Sequence, residues 1–137
     1  MDLEFGGKRV LVTGSSSGIG EETVRMLAAD GARVVVHGRN RERAEAVAAR
    51  IGAAGVSVGD LSDLANVETV HAEAVAALGG SIEILINNAG GSTTGNSMRS
   101  PIDTPVEDYV VNYRQNTLGA IRMCQLAVPA MTAAGFG

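Results

Sequence analysis

The sequence predicts an α/β fold, a doubly wound parallel sheet with helices on both faces, and three observations predict it. Short runs of β-branched and aliphatic residues alternate with stretches of helical periodicity, the signature of successive strand–helix–strand units. The apolar content is aliphatic: hydrophobic residues make up 45% of the chain but aromatics only 3%, with no Trp, which suits strands buried on both faces. Glycine is abundant at 18 of 137 residues, pointing to turns and close backbone approaches.

Element by element, Val10, Leu11 and Val12 form a first strand that runs into Gly14. Residues 21–30 read as a helix with Val24, Leu27 and Ala28 on one side and Gly31 as its stop. Val34, Val35 and Val36 form a second strand. Asn40 caps a helix whose inner face is Ala44, Val47, Ala48 and Ile51, ended by Gly52. Residues 56–58 form a short third strand. Ser62 is positioned to cap a helix with Leu64, Val67, Ala74, Val75 and Leu78 inward. Residues 82–86 form a fourth strand, and residues 91–104 have the composition of a loop. Thr104-Pro105-Val106-Glu107 combines a capping box with Pro at the first helical position, starting a long helix that runs to about Pro129, with residues 133–137 a loop. The 137 residues form one domain with no repeat or linker.

Charge and cysteine content narrow the function classes. The net charge of -4 and the few aromatics disfavour a nucleic-acid partner. One cysteine, Cys124, permits no internal disulfide. The N-terminus has no signal-peptide pattern, and no apolar run approaches a membrane span, so a cytoplasmic protein with no membrane partner is expected. His71 reads as a packing or surface residue, and no His or Cys is spaced with it to hold a metal. His37 is either an adenine neighbour at the second strand's end or a buried neutral ring.

The chemistry-bearing motif is Thr13-Gly14-Ser15-Ser16-Ser17-Gly18-Ile19-Gly20, between the first strand and the first helix. A pyrophosphate needs backbone N–H donors at a helix N-terminus and no side chain in the way, which makes Gly14, Ser15, Ser16, Ser17, Gly18, Ile19 and Gly20 candidate cofactor-binding residues of a Rossmann-type site. The spacing differs from G-x-G-x-x-G, and no Gly-Lys-Ser/Thr of a P-loop is present.

That spacing resembles the TGxxxGxG motif of the short-chain dehydrogenase/reductase family, and three further segments match in order. Asp60-Leu61 follows the third strand, where the family places an adenine-contacting Asp; Asn87-Asn88-Ala89-Gly90 matches its NNAG motif; Asn116 falls where it keeps a catalytic Asn. The resemblance covers nearly the whole chain. It implies a sheet order 3-2-1-4, a site including Asp60, Leu61, Asn88, Ala89 and Gly90, a catalytic role for Asn116, a small carbonyl or alcohol substrate, hydride transfer to or from a nicotinamide, and assembly into homo-oligomers. A methyltransferase-like fold is disfavoured, since the NNAG segment has no role there.

The end of the second strand addresses the choice of nicotinamide cofactor. A 2′-hydroxyl is held by an Asp or Glu about 20 residues past the glycines, and that carboxylate would repel a 2′-phosphate. Here Gly38 stands in that place and Arg39 follows, with Arg41 and Arg43 nearby. NADP(H) is therefore the expected cofactor, with Arg39 its principal contact. The family's proton-transfer pair is a Tyr with a Lys four residues on; Tyr109 is followed four later by Tyr113, Tyr113 by Thr117, and the only lysine is Lys8. The expectation is a cofactor-binding half without that pair, inactive alone. The alternative is a non-catalytic NADP(H)-binding or oligomerising module.

Overall fold

The computed structural model describes residues 4–91 and 100–137. Strands β1 (Arg9–Val12), β2 (Arg33–Gly38), β3 (Gly55–Val58) and β4 (Ile84–Ile86) form one parallel sheet in the order β3-β2-β1-β4. The register pairs Val12 with both Val36 and Ile86, and Gly38 with Val58, so all four strands end along the same edge. The order reverses at β1, between β2 and β4. That switch point opens a crevice at the carboxyl ends of the strands, where α/β sheets bind ligands.

Alternation along the strands builds two apolar layers. Val10, Val12, Val34 and Val36 face α1 (Gly18–Ala29) and α2 (Arg41–Ile51), meeting Val24, Leu27, Ala44 and Val47. Leu11 and Val35 point the other way and pack with Val67, Val70, Ala74 and Leu78 of α3 (Leu64–Leu78) and with Met123 of α5 (Gly119–Ala134). Helices on both faces make the fold a Rossmann-type doubly wound sheet, as the strand and helix pattern predicts.

Several boundaries differ from the sequence reading, each for a local reason. Helix α1 begins at Gly18, because the Glu21 amide already donates to the Ser17 carbonyl, closing the first helical turn ahead of residue 21. The cap of α3 is Asp63, not Ser62: the Asp63 carboxylate accepts from the Ala65 amide at 3.0 Å, while the Ser62 amide donates to Asp60. Ladder pairing in β4 covers Ile84–Ile86 only, although Ile82 is buried and the Glu83 amide still reaches the Arg9 carbonyl.

The Thr104 capping box does not form. The Thr104 hydroxyl donates back to the Ser100 carbonyl, Pro105 occupies the cap position, and α4 (Val106–Tyr113) starts after it. The long helix is not uniform: a π-helical turn over Arg114–Leu118 separates α4 from α5. Helix α5 continues past Pro129 to Ala134, where Gly135 in the left-handed conformation stops it. Of the expected loop over residues 91–104, residues 92–99 lie outside the described residues.

Two substitutions check this packing. Met123→Ala, at a fully buried position between α3 and α5, is expected to lower unfolding free energy by about 2–5 kcal/mol. Asp63→Ala is expected to cost about 1 kcal/mol through the lost cap. Urea denaturation measures both.

Candidate functional site

The loop after β1 is held from both sides. On the β4 side, the Thr13 hydroxyl accepts from the Asn88 and Ala89 amides, each at 3.0 Å, and the Asn88 side-chain amide donates to the Thr13 and Gly14 carbonyls. On the β2 side, the Ser15 amide donates to the His37 carbonyl, and the Ser15 hydroxyl accepts from the His37 amide while donating to the Val12 carbonyl. The Gly14 amide donates to Nδ1 of the His37 ring at 2.9 Å. With residues 13–15 tied to two neighbouring strands, the chain leaves the sheet at one fixed angle and enters α1.

Gly14 sits at φ 66°, and a Cβ there would come within 2.8 Å of the Ala89 Cα. At Gly20 a Cβ would run into the Gly14 carbonyl oxygen and the Asn88 amide nitrogen. The motif's glycines thus allow three backbone segments to approach where side chains would hold them apart. Ser17 at the helix N-cap makes no side-chain capping bond, and Ile19 beyond it is 81% exposed. The first turn of α1 therefore presents backbone N–H groups and a partial positive charge towards the crevice.

The crevice is an open cleft of about 480 Å³, within the range of small-molecule and cofactor sites. Its floor is Gly14, Ser16, Gly20 and His37; one end is Gly38, Arg39, Asn40 and Arg43, and the other is Asn88, Ala89, Gly90 and Gln115. Gly59, Asp60 and Leu61 close the side towards β3.

Three side chains set the electrostatics. Arg39 and Arg43 form no ion pair among the described residues, whereas Arg41 is paired with Glu45 at 3.5 Å and does not border the cleft. The Asp60 carboxylate accepts from the Ser62 amide at 2.9 Å; that bond, with the charge of Arg39, holds its carboxyl below the usual range. His37 is 2% exposed. Burial pushes its ring below the ordinary histidine range, partly offset by the Gly59 carbonyl, which Nε2 meets at 3.2 Å. The ring is thus buried and at the same time borders the cleft floor.

Most of the residues singled out by the motif meet at this cleft: Gly14, Ser16, Ser17, Ile19, Gly20, Arg39, Asp60, Leu61, Asn88, Ala89 and Gly90 all border it. Ser15 does not. It is 0% exposed, and its amide and hydroxyl are both spent on strand ends. Gly18 borders a smaller groove of about 210 Å³ with Glu21, Arg25 and Arg50. Asn116 lies outside the cleft wall, in the π-helical turn; its side-chain amide pairs with both backbone groups of Gly91, at 2.8 and 2.9 Å, and fastens the segment after β4 to the helix. Gln115, Asn40, Arg43 and Gly59 border the cleft without having been singled out as contacts. Only Arg43 carried a signal, its charge; Gln115 is placed by the π-helical turn, which leaves no mark in hydrophobic periodicity.

The fold and this cleft define a protein of the Rossmann-type class. More specifically, the chain belongs to the short chain dehydrogenase family, whose model matches residues 8–137. A D-threitol dehydrogenase from Mycolicibacterium smegmatis is 36% identical over 139 aligned positions, which cover 99% of this chain and 52% of that protein. A gluconate 5-dehydrogenase from Burkholderia cenocepacia, solved with NADP and tartrate, superposes with a TM-score of 0.81 at 36% identity, covering 96% of this chain and 51% of that one. A 3-ketoacyl-(acyl-carrier-protein) reductase from Brucella melitensis, complexed with NADH, gives a TM-score of 0.86 at 30% identity, covering 97% and 55%. The chain spans about half the length of the relatives it matches.

Two changes test the site's scaffold. Thr13→Val strips the Ala89 amide of its acceptor, leaves the Asn88 amide only the Ile86 carbonyl, and is expected to destabilise by about 1–3 kcal/mol in urea denaturation. For Asp60 the folded-state value lies below the ordinary one, so its contribution is full above the ordinary carboxylate range and is lost as pH falls through the folded value. Asp60→Asn is therefore expected to lower the urea midpoint at about pH 7, with the gap to the wild-type chain closing in strong acid.

Proposed function

We propose that this chain binds NADP(H) and serves an oxidoreductase that moves hydride between the nicotinamide and a small carbonyl or alcohol. The observation that carries the reading is the β2 end of the cleft. Gly38 offers no carboxylate to a ribose 2′-hydroxyl, a Cβ there would collide with the Ser16 hydroxyl, and the guanidinium groups of Arg39 and Arg43 border the same space. A 2′-phosphate meets charge-assisted donors there and no repelling acid on β2. Relatives are known with either nicotinamide cofactor, NADP in one and NADH in another, so the preference rests on these residues.

In this reading the pyrophosphate lies against the N–H groups at the start of α1, in the space that Gly14 and Gly20 keep clear. Asp60 and Leu61 border the adenine, while Asn88, Ala89 and Gly90 border the nicotinamide half. The bound nicotinamide supplies the hydride chemistry. Asn116, fixed on Gly91, holds the segment beside it and acts on the reacting end through that position. Neither tyrosine has a lysine four residues on, so these 137 residues hold the cofactor without supplying the proton-transfer pair. The same reading assigns the exposed apolar row of α4, with Val106 71% exposed and Tyr109, Val110 and Tyr113 beside it, to assembly with a second copy.

Calorimetric titration of the chain with NADPH and NADH tests the reading. NADPH is expected to bind more tightly, and Arg39→Ala to weaken NADPH about 10- to 100-fold with little change for NADH. Equal affinities that Arg39→Ala leaves untouched would contradict it.

A further inference from the structure

His37 joins three strand ends. Its backbone pairs with Ser15, its Nδ1 takes the Gly14 amide, and its Nε2 meets the Gly59 carbonyl across the sheet. An amide donating to Nδ1 requires that nitrogen to be bare, so the proton of the neutral ring sits on Nε2, where the Gly59 carbonyl accepts it. One tautomer satisfies both partners. In the other, Nδ1–H would face the Gly14 N–H and Nε2 would face a carbonyl oxygen. The imidazolium keeps the Gly59 bond but brings two donors together at Gly14. Gly14 opens the loop that leads into α1, so a disturbance there is passed to the first turn of that helix.

We propose that His37 is a positioning residue for the phosphate loop: as the Nε2–H tautomer it holds the Gly14 amide, and protonation of Nδ1 releases that amide and lowers affinity for a nicotinamide dinucleotide. This rests on the dinucleotide reading above. The groups facing the ring oppose one another. Burial disfavours the charged ring, while the carboxylates of Asp60, after β3, and Glu73, on α3, favour it. Glu73 is held in place by the Val58 amide and the Ser57 hydroxyl. Burial prevails, which keeps the ring neutral and the loop set at neutral pH. Because the folded-state value is lowered, the lock is complete throughout the ordinary histidine range and is lost only as pH falls through the folded-state value beneath it.

The test compares the wild-type chain with His37→Asn and His37→Leu. Asn keeps an acceptor on the Gly14 side and does not titrate; Leu removes both bonds. Binding of NADP+ is followed by calorimetry from about pH 8 down to the lowest pH at which urea denaturation shows each variant folded and the ring resonances show His37 protonated. The 2′-phosphate itself takes up a proton near pH 6, so the informative quantity is the difference between wild type and His37→Asn. Wild-type affinity is expected to fall more steeply than that of His37→Asn, approaching a further tenfold per pH unit below the ring's own value. His37→Leu is expected to bind about three- to tenfold more weakly than wild type at pH 8. Superimposable pH profiles for all three chains would overturn the proposal. Nuclear magnetic resonance supplies a readout that needs no cofactor: the ring nitrogens should report Nε2–H, and the Gly14 amide resonance should titrate with the ring. If neither NADP+ nor NAD+ binds at any pH, the dinucleotide reading fails and with it the effect on affinity, while a Gly14 resonance that ignores the ring overturns the lock itself.

Discussion

A parallel sheet leaves its carboxyl edge with carbonyl and amide groups that no further strand residue can pair, and this structure depends on how those groups are satisfied. Thr13, Ser15, His37 and Asn88 do it, each making at least one bond between different strand ends. Remove these bonds and the sheet keeps its buried Val and Leu layers, but the chain leaving β1 loses its direction. With them, residues 13–20 turn once and deliver the start of α1 to the crevice between β1 and β4.

The site follows from that turn. Backbone amides at a helix start bind anions only where nothing else occupies them, and here Gly14 and Gly20 clear the approach while the Ser17 side chain leaves the cap uncommitted. The two ends of the cleft then divide the work. Charge is concentrated at β2, where Arg39 and Arg43 stand. The β4 end is neutral and dense with amides, from Asn88 to Gln115. Asn116 and Gly91 make the second fixed joint of the site, and the π-helical turn is what brings that side chain onto the backbone of Gly91.

The alternation of aliphatic runs and helical periods made the sheet, its helices and most of the cleft legible, because buried parallel strands and the glycine-rich turn leave direct marks in residue type. What escaped was decided by local competition. Ser62 and Asp63 are both good caps, and the Asx turn at Asp60 consumes the Ser62 amide and passes the cap to Asp63. Thr104 has an alternative acceptor in the Ser100 carbonyl. The inward face of Ser15 and the two bonds of the His37 ring depend on strand register, which places residues 15 and 37 side by side at the sheet edge and which no short-range pattern encodes. Pro129 marks a helix end in isolation, but in α5 the helix runs through it to Ala134.

Everything proposed for this cleft turns on its being a dinucleotide site read from the β2 end by arginine. Mapping backbone amide resonances of the isotopically labelled chain on addition of NADP+ tests it most directly. Shifts are expected to cluster at Gly18, Ile19 and Gly20, at Arg39, and along residues 60–61 and 88–90, with the apolar layer behind the sheet unmoved. Saturating NADP+ that moves none of these resonances, or moves those of α4 and the outer face of α3 instead, would contradict it.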